Sequence, residues 1–468
     1  MTKILSAVNS VVWGIPALLL IVGVGIYLSI RLSFLPLRLL PHALVRFFQM
    51  CLPGTRQERS SFASVCTALG ATVGTGNLVG VAGAICLGGP GSVFWMWVCG
   101  LLGMVTKYAE ATLAVRYRIG EKGTFFGGPM YMITQGMGAR FLPLAKIYCL
   151  FGVIAAFGVG NAAQINAVVT GVRSTAAAYG GAPSQYLDLL VGAALAALIG
   201  VLLHGGAKRI GAAAQLLVPA AAAGYIVLCL GVLVVYRGRL GNAFGQILAG
   251  AFSPKAVTGG ALGSAFQTLR VGCSRGVFTN EAGMGTASIA HAEARVEHPA
   301  QQGLMGIVEV FLDTIVICTL TALVILVSGV SIPYGTDAGA MLTLNAFSVV
   351  YGDISQVIIT AMLCLFAIAT VLGWGLYGAR CAQFLLGSRA WKYFAAAETG
   401  AIVISAMLDT ASIWQFSETV NGLMVIPNLI SLAALSEELC RLTKEYRKNR
   451  HKKAGGGTYA DFYQCKPL

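Results

Sequence analysis

Charged residues are scarce in this 468-residue chain, at 11% of the total, whereas a soluble globular domain carries about 25%. Its five histidines and twelve cysteines are scattered, with no C-x-x-C pair and no spacing typical of metal ligands. A soluble protein is therefore excluded. A membrane enzyme is disfavoured as well, because it needs a clustered nucleophile, base or metal set.

Long apolar runs are what the sequence has instead: 57% of its residues are hydrophobic and its mean hydropathy is +0.77. Each run is near the roughly 20 residues that a helix needs to cross a bilayer. The first one lacks the flanks of a cleaved signal, so we expect it to be a span. The runs predict an all-α polytopic membrane protein with eleven transmembrane helices, at residues 10–30, 62–87, 91–115, 141–171, 187–204, 212–236, 259–291, 304–331, 354–379, 393–408 and 413–436.

Basic residues are divided unevenly between the two sides of the predicted membrane. Most of the 32 lysines and arginines fall in alternate loops and in the basic tail 437–468. Such loops are usually cytoplasmic, so we expect a multi-pass protein of the cell membrane with its N-terminus outside and a solvated, poorly ordered C-terminal tail inside. The net charge of +14 then reflects topology and attraction to anionic lipid. Membrane lipid is an expected partner, and nucleic acid is not.

Two predicted spans are interrupted by glycine and polar residues at membrane depth. The interrupting residues are Gly70, Gly74, Gly76 and Asn77 in the span 62–87, and Gly272, Gly276, Asn280, Glu281, Gly283 and Gly285 in the span 259–291. Unpaired backbone groups inside a bilayer cost several kcal/mol unless protein, water, ions or substrate satisfy them. Close helix packing is the alternative explanation for the glycines, but it does not account for the accompanying polar side chains.

The spans between the interruptions divide into two equal units. Five spans counted from each interrupted one give units at 62–236 and 259–436, preceded by an extra N-terminal helix within 1–31. Because five is odd, the second unit enters the membrane from the opposite side. Interrupted spans at corresponding positions of inverted repeats indicate the binding site of a secondary transporter. A channel stays an alternative, because a sequence does not display alternating access.

Five stretches carry a resemblance to a known family. They are VGTGNLVGVAGAICLGGPGSVFWMWVCGLLGMVTKYAEA from Val73, GGPMYMI from Gly127, RGVFTNEAGMG from Arg275, FLDTIVICT from Phe311 and NGLMVIPN from Asn421. The chain resembles the alanine or glycine:cation symporters over nearly its whole length. The resemblance implies the inverted five-helix fold of the leucine transporter and uptake of alanine or glycine. It implies sodium as the coupling ion, with protons in some members, and no cofactor.

A zwitterionic amino acid needs hydrogen-bond donors at one end and acceptors at the other, and the ends of half-helices supply both. The expected groups are the N–H groups of Thr75, Gly76 and Asn77 for the carboxylate, and the carbonyls of Ala71, Thr72, Phe278 and Thr279 for the ammonium. The alternative for Thr75 and Asn77 is that they only cap a half-helix.

The resemblance also implies ion ligands and pocket residues. It places one sodium ion between the carbonyls of Gly70 and Val73 and the hydroxyl of Thr370, which is also counted with the substrate residues. Family members usually carry Ser-Thr where this chain has Ala369-Thr370, so one hydroxyl ligand is missing and proton coupling becomes an alternative. A second ion site would use the Thr72 carbonyl, Asn77 and the substrate carboxylate.

Polar side chains on other spans complete the expectations. The resemblance implies that Gln164 bonds the substrate and that Trp374 forms the wall limiting its size. Asn161 and Asn166 are expected to form interhelical hydrogen bonds, because unpaired buried amides are costly.

Charged groups inside spans are functional by default. We expect Glu281 to accept free N–H groups at the second interruption, in preference to carrying protons, and Lys107 to pair with Glu110. Asp313 has no partner that the sequence identifies.

Overall fold

Helices make up nearly all of the structure, a computed structural model that describes residues 12–52, 55–121, 124–182, 184–258, 264–336, 339–408 and 410–454. The helices up to residue 258 are α1 (Ile15–Arg31), α2 (Leu35–Arg38), α3 (Leu40–Met50), α4 (Arg56–Thr72), α5 (Val81–Gly88), α6 (Ser92–Arg116), α7 (Pro129–Tyr131), α8 (Leu142–Ala155), α9 (Ala163–Ala178), α10 (Gln185–His204), α11 (Gly206–Val235), α12 (Leu240–Phe252) and α13 (Pro254–Val257).

The helices of the remaining chain are α14 (Ala265–Asn280), α15 (Thr286–His291), α16 (Pro299–Val310), α17 (Thr319–Ser328), α18 (Gly339–Tyr351), α19 (Ile354–Leu386), α20 (Ala390–Ser405), α21 (Thr410–Ala434) and α22 (Ser436–Ala454). Wider π-helical turns occupy Gly76–Gly80, Met132–Met137, Ala156–Ala162 and Phe311–Cys318, and 3-10 turns occupy Ala139–Phe141 and Arg237–Arg239. A short antiparallel hairpin of β1 (Ile119–Glu121) and β2 (Thr124–Phe126) follows α6.

Six helices of the described chain are long and apolar enough to cross a membrane. The number is at most eight, if each of two pairs bent at short breaks is one span: α4 with the helix that follows it, and α21 with α22. The predicted spans nearest α1, α14 and α20 fall short of that test, because α1 has 17 residues and α14 and α20 have 16 each. The expected eleven spans and their repeat stay predictions.

Two long helices organise the packing. Helix α19 runs for 33 residues and packs against α4, α8, α9 and α11. Helix α6 packs against α14 and α16. Since the two interrupted spans each lie against one of these helices, α19 and α6 fix the position of the breaks.

Several helices lie outside the eleven predicted spans. Helix α3 is amphipathic: it buries Phe47 and exposes Phe48. The tail from residue 437, expected to be solvated and poorly ordered, is helical in its described part, as α22. That helix buries Leu439, Leu442 and Tyr446, which follow one another at helical spacing among basic residues. Residues 1–11, 259–263 and 455–468 of the predicted elements lie outside the described residues.

Candidate functional site

The first break follows Thr72, the last residue of α4. Val73 is extended (φ −77°, ψ 92°), and the chain resumes as a helix bent by 43°. The Gly74 N–H donates to the Asn77 side chain (2.9 Å) and not to the carbonyl of Gly70, which would be its helical partner. Asn77 therefore holds the break open, and the Gly70 carbonyl is released from the α4 ladder.

Gln164 on α9 closes the other side of the break. Its Oε1 accepts both the Thr75 hydroxyl (2.8 Å) and the Thr75 N–H (3.3 Å), while its Nε2 donates to the Val159 carbonyl (3.1 Å). The Thr75 N–H is thereby withdrawn from Ala71, its helical partner. Two residues predicted to bind substrate thus bind each other.

Two of the three predicted ion ligands, Gly70 and Thr370, meet beside this break. The Thr370 hydroxyl on α19 donates to the released Gly70 carbonyl over 2.9 Å, and both residues are buried. Gly74 admits this approach, because a Cβ there would lie 2.4 Å from the Thr370 hydroxyl. The Cβ of Ala369 lies 3.4 Å from the place of a Cβ on Gly70, so the residue that lacks the expected hydroxyl does face the site. Hard oxygens and small residues suit a sodium ion.

The predicted pocket wall packs closely against the first unit. Trp374 is 1% exposed, and Gly160 allows its approach, because a Cβ on Gly160 would lie 2.3 Å from the Trp374 Cβ. On the opposite side, Gly76 faces Thr279 and Phe278, whose side chains lie 3.2 and 3.6 Å from the place of its Cβ. The ends of the two interrupted helices are therefore in contact.

The second break covers residues 281–285, between α14 and α15. Glu281 adopts the left-handed conformation (φ 55°), as do Gly283 and Gly285. The expected interruptions at Gly70, Gly272 and Gly276 are wrong: Gly70 lies inside α4, and the other two lie inside α14. A Cβ on Gly272 would lie 2.4 Å from the Ser92 carbonyl, so close packing against α6 explains that glycine.

Glu110 on α6 holds the second break. One of its oxygens, Oε1, accepts the N–H groups of Gly283 (2.9 Å) and Gly285 (3.1 Å) and the side-chain amide of Asn428 (2.7 Å). The role expected of Glu281 therefore belongs to Glu110, and Glu281 instead accepts the Thr286 hydroxyl over 2.6 Å. The sequence could not choose between the two carboxyl groups, because only the fold brings α6 to the break.

Lys107 forms its ion pair with Glu309 on α16, over 3.3 Å, and not with Glu110. A buried chain of hydrogen bonds continues from Glu309 to His291 (2.8 Å), from His291 to Gln302 (2.8 Å) and from Gln302 to Ser61 on α4 (2.6 Å). These groups join α4, α15 and α16. In the sequence, this network is marked only by carboxyl and imidazole side chains that lie inside or beside apolar runs.

The remaining polar side chains find partners across helices. Asn161 donates to Glu398 (3.1 Å) and Asn166 donates to the Leu408 carbonyl (2.8 Å), as expected. Asp313, which lacked a partner in the sequence, accepts the side-chain amide of Asn77 over 2.6 Å.

A cavity of about 680 Å³ leads from the surface towards the first break. It reaches Thr67, three residues before Gly70 on α4, and its rim includes Arg380 and Glu293, paired over 2.6 Å. Burial raises the pKa of Glu293 even beside Arg380. The predicted ion site therefore lies within about one helical turn of an open cavity.

An apolar and almost entirely helical chain, in which the first break contacts the end of the helix that precedes the second, has the architecture of a multi-pass membrane transporter of the leucine-transporter fold. The sequence profile of the "Sodium:alanine symporter family" matches residues 1–459. The chain belongs to this family, whose members are symporters and not enzymes.

Similar proteins cover the whole chain. One, from Haemophilus influenzae, is described as an uncharacterized transporter and is 42% identical over 95% of this chain and 96% of its own length. The sodium/alanine symporter AgcS of Methanococcus maripaludis is 41% identical over 97% of this chain and 99% of its own. The crystal structure of MhsT in complex with L-phenylalanine superimposes with a TM-score of 0.58 at 16% identity, over 82% of this chain and 90% of MhsT, and supports the fold.

Proposed function

We propose that this protein imports alanine or glycine together with sodium by alternating access. The observation that carries the proposal is the contact of the released Gly70 carbonyl with the Thr370 hydroxyl (2.9 Å). It lies at the break where Thr75 and Gln164 also meet. In this proposal the Thr370 hydroxyl keeps its proton and turns it away from Gly70, so that both oxygens face a sodium ion, with the Val73 carbonyl as a third ligand.

The substrate lies between the two breaks in this proposal. Its ammonium faces carbonyls at the ends of half-helices, and its carboxylate faces the N–H groups that follow Gly74. The groups proposed to contact it are those of Ala71, Thr72, Thr75, Gly76, Asn77, Gln164, Phe278, Thr279, Thr370 and Trp374. Because Gly76 touches Phe278 and Thr279, and Trp374 closes on Gly160, the space favours a small side chain.

Sodium suffices energetically as the driving ion. One positive charge crossing 100 mV gains about 2.3 kcal/mol, and a tenfold gradient adds about 1.4 kcal/mol. Together they support accumulation of roughly several hundredfold. The alternative is coupling of the same substrates to protons, or their exchange, which the missing hydroxyl at Ala369 favours.

The topology of eleven spans in two inverted five-helix units, with the N-terminus outside in the cell membrane, belongs to the same proposal. On that topology Lys208, Arg295, Arg380 and Lys392 are cytoplasmic, and all four line the large cavity. The cavity is then the inner vestibule, and the described conformation is open towards the cytoplasm.

The test is uptake of labelled L-alanine into proteoliposomes at a fixed membrane potential, with external sodium or choline. We expect accumulation above the external concentration in sodium and a loss in choline. Undiminished uptake in choline would contradict sodium coupling, and its dependence on an inward pH gradient would support the proton alternative. Equilibration without accumulation would indicate a channel. Competition by D-alanine, glycine and serine then defines the substrate.

A further inference from the structure

Asp313 contacts Asn77, which binds the backbone of the first break, and is linked through Thr314 and Asn280 to the backbone of the second. It belongs to the π-helical turn Phe311–Cys318 that follows α16, and it is fully buried. Both of its carboxyl oxygens are used: Oδ1 accepts from Asn77 over 2.6 Å, and Oδ2 accepts from Thr314 over 2.8 Å.

The first arm runs from Asp313 to the backbone of the first break. The Gly74 N–H donates to Asn77 Oδ1 (2.9 Å), and Asn77 Nδ2 donates to Asp313 Oδ1. A backbone N–H can only donate, so the amide of Asn77 has to present its oxygen to Gly74 and its nitrogen to Asp313. The orientation of Asn77 is therefore fixed from both ends.

The second arm runs from Asp313 to the backbone of the second break. The Ala282 N–H donates to Asn280 Oδ1 (2.9 Å), and Asn280 Nδ2 donates to the Thr314 hydroxyl (3.0 Å). By the same rule Asn280 is oriented with its nitrogen towards Thr314, and the Thr314 proton is left to donate to Asp313. In both arms each hydrogen bond is thus donated in the direction of Asp313, and the last donor of each arm binds its carboxyl group.

We propose that Asp313 is a positioning residue that couples the two breaks, so that binding at one changes the other. The inference rests on the proposed function. Its mechanism follows from the first arm. As long as Asp313 orients Asn77, the Gly74 N–H stays away from Gly70, and the Gly70 carbonyl is available to the ion. Loss of the Asp313 carboxyl removes the shortest bond that orients Asn77, whose Nδ2 keeps only longer contacts to the Asp313 backbone carbonyl (3.2 Å) and Cys318 Sγ (3.3 Å). Asn77 then holds the Gly74 N–H less firmly and lets it return to Gly70, while the second arm loses the acceptor that anchors Thr314.

The measured quantity is the factor by which sodium tightens equilibrium binding of labelled alanine to the purified protein. Coupling factors between linked sites are typically about 5- to 150-fold. We expect Asp313→Ala to bring the factor close to 1 and Thr314→Val, which removes one arm, to lower it partly. Asp313→Asn retains most of it, because an amide can accept from Asn77 and donate to Thr314. Thr321→Val is the matched control: it removes a buried hydroxyl bond to Tyr225 (2.8 Å) that belongs to neither arm, and we expect no change.

The inference is overturned if folded Asp313→Ala keeps the wild-type factor. It is also overturned if Asp313→Asn lowers the factor as much as Asp313→Ala does, because the effect would then come from the charge. If Asp313→Ala does not fold, the test uses Thr314→Val and Asp313→Asn. The coupling is contradicted if Thr314→Val keeps the wild-type factor. It is also contradicted if Asp313→Asn lowers the factor more than Thr314→Val does. A wild-type factor of 1 contradicts the sodium part of the proposed function as well. A factor above 1 that no variant changes contradicts the inference alone.

Discussion

The substitution Ala369→Ser should strengthen sodium binding. Ala369 precedes Thr370, and its Cβ lies 3.4 Å from the place of a Cβ on Gly70, whose carbonyl accepts the Thr370 hydroxyl over 2.9 Å. A serine here would add a second hydroxyl beside the oxygens proposed to hold the ion. It would also restore the Ser-Thr pair implied by the family resemblance.

The size of the effect is the difference of two terms. A hydroxyl facing an ion contributes as a hydrogen bond to a charged group does, about 1.5–3 kcal/mol. Ala369 is 2% exposed. Overpacking a buried position costs about 1–3 kcal/mol, and a single added oxygen takes the lower end of that range, about 1 kcal/mol. The net gain is about 0.5–2 kcal/mol, which corresponds to a fall of about 2- to 30-fold in the sodium concentration giving half-maximal uptake.

The assay is alanine uptake into proteoliposomes as a function of external sodium, with Ala367→Ser as the control. Ala367 is equally buried on α19 but lies on another face, two residues earlier, so we expect its sodium dependence to stay that of the wild type. An Ala369→Ser variant with unchanged alanine affinity and an unchanged amount of folded protein would contradict the placement of the ion beside Ala369 if its half-maximal sodium concentration were equal to or above that of the wild type.

Three further predictions concern the breaks and the tail. Glu110→Ala leaves the N–H groups of Gly283 and Gly285 at the second break without their acceptor, while Asn428 keeps its bond to the Gly283 carbonyl. At about 1–3 kcal/mol for each buried orphan group, it should markedly lower the thermal unfolding midpoint in detergent, whereas the exposed Glu437→Ala should not; equal midpoints would contradict the assigned role of Glu110. Gly160→Ala puts a Cβ 2.3 Å from that of Trp374, so it should raise the alanine KM, while Gly400→Ala, with nothing within 4 Å, should not; equal KM values would show that Trp374 is no wall of the site. Arg441 and Arg116 lower the pKa of Glu438 to about 2. A depressed carboxyl pKa stabilises the fold above the unfolded value of about 4.3 and loses that effect as pH falls through 2. Glu438→Gln should therefore lower the free energy of unfolding by about 0.2–1 kcal/mol at pH 7, and its unfolding midpoint should approach that of the wild type below pH 4. A difference in midpoint that does not change with pH would argue against the ion pairs of Glu438 with Arg116 and Arg441.

The sequence predicted the breaks better than it predicted what holds them. Gly74 and Asn77 mark the first break by residue type alone, since each weakens a helix. Gly272 and Gly283 look alike in sequence, yet the first packs inside α14 and the second takes a positive φ in the break. Only three-dimensional neighbours distinguish them. Glu110 was beyond prediction for the same reason, because it reaches the second break from another helix.

At both breaks the backbone N–H groups have acceptors within the protein, whereas several backbone C=O groups have lost their helical partners. Side chains of the protein take up the N–H groups: Asn77 binds that of Gly74, Gln164 that of Thr75, and Glu110 that of Gly283. The same diversions remove the helical partners of the Gly70, Ala71 and Thr279 carbonyls, which are the groups proposed to accept positive charge.

In the proposed function, a sodium ion and an ammonium group therefore meet carbonyls that are free of helical partners, and only the Thr370 hydroxyl has to turn away from Gly70. The proposed substrate carboxylate has to displace Gln164 from Thr75 first. It follows that cations should bind first, and that a Gln164→Ala variant, in which the Thr75 N–H has lost its internal acceptor, should bind alanine with a smaller dependence on sodium. Rapid-mixing measurements that find alanine binding first in the wild type would contradict this order.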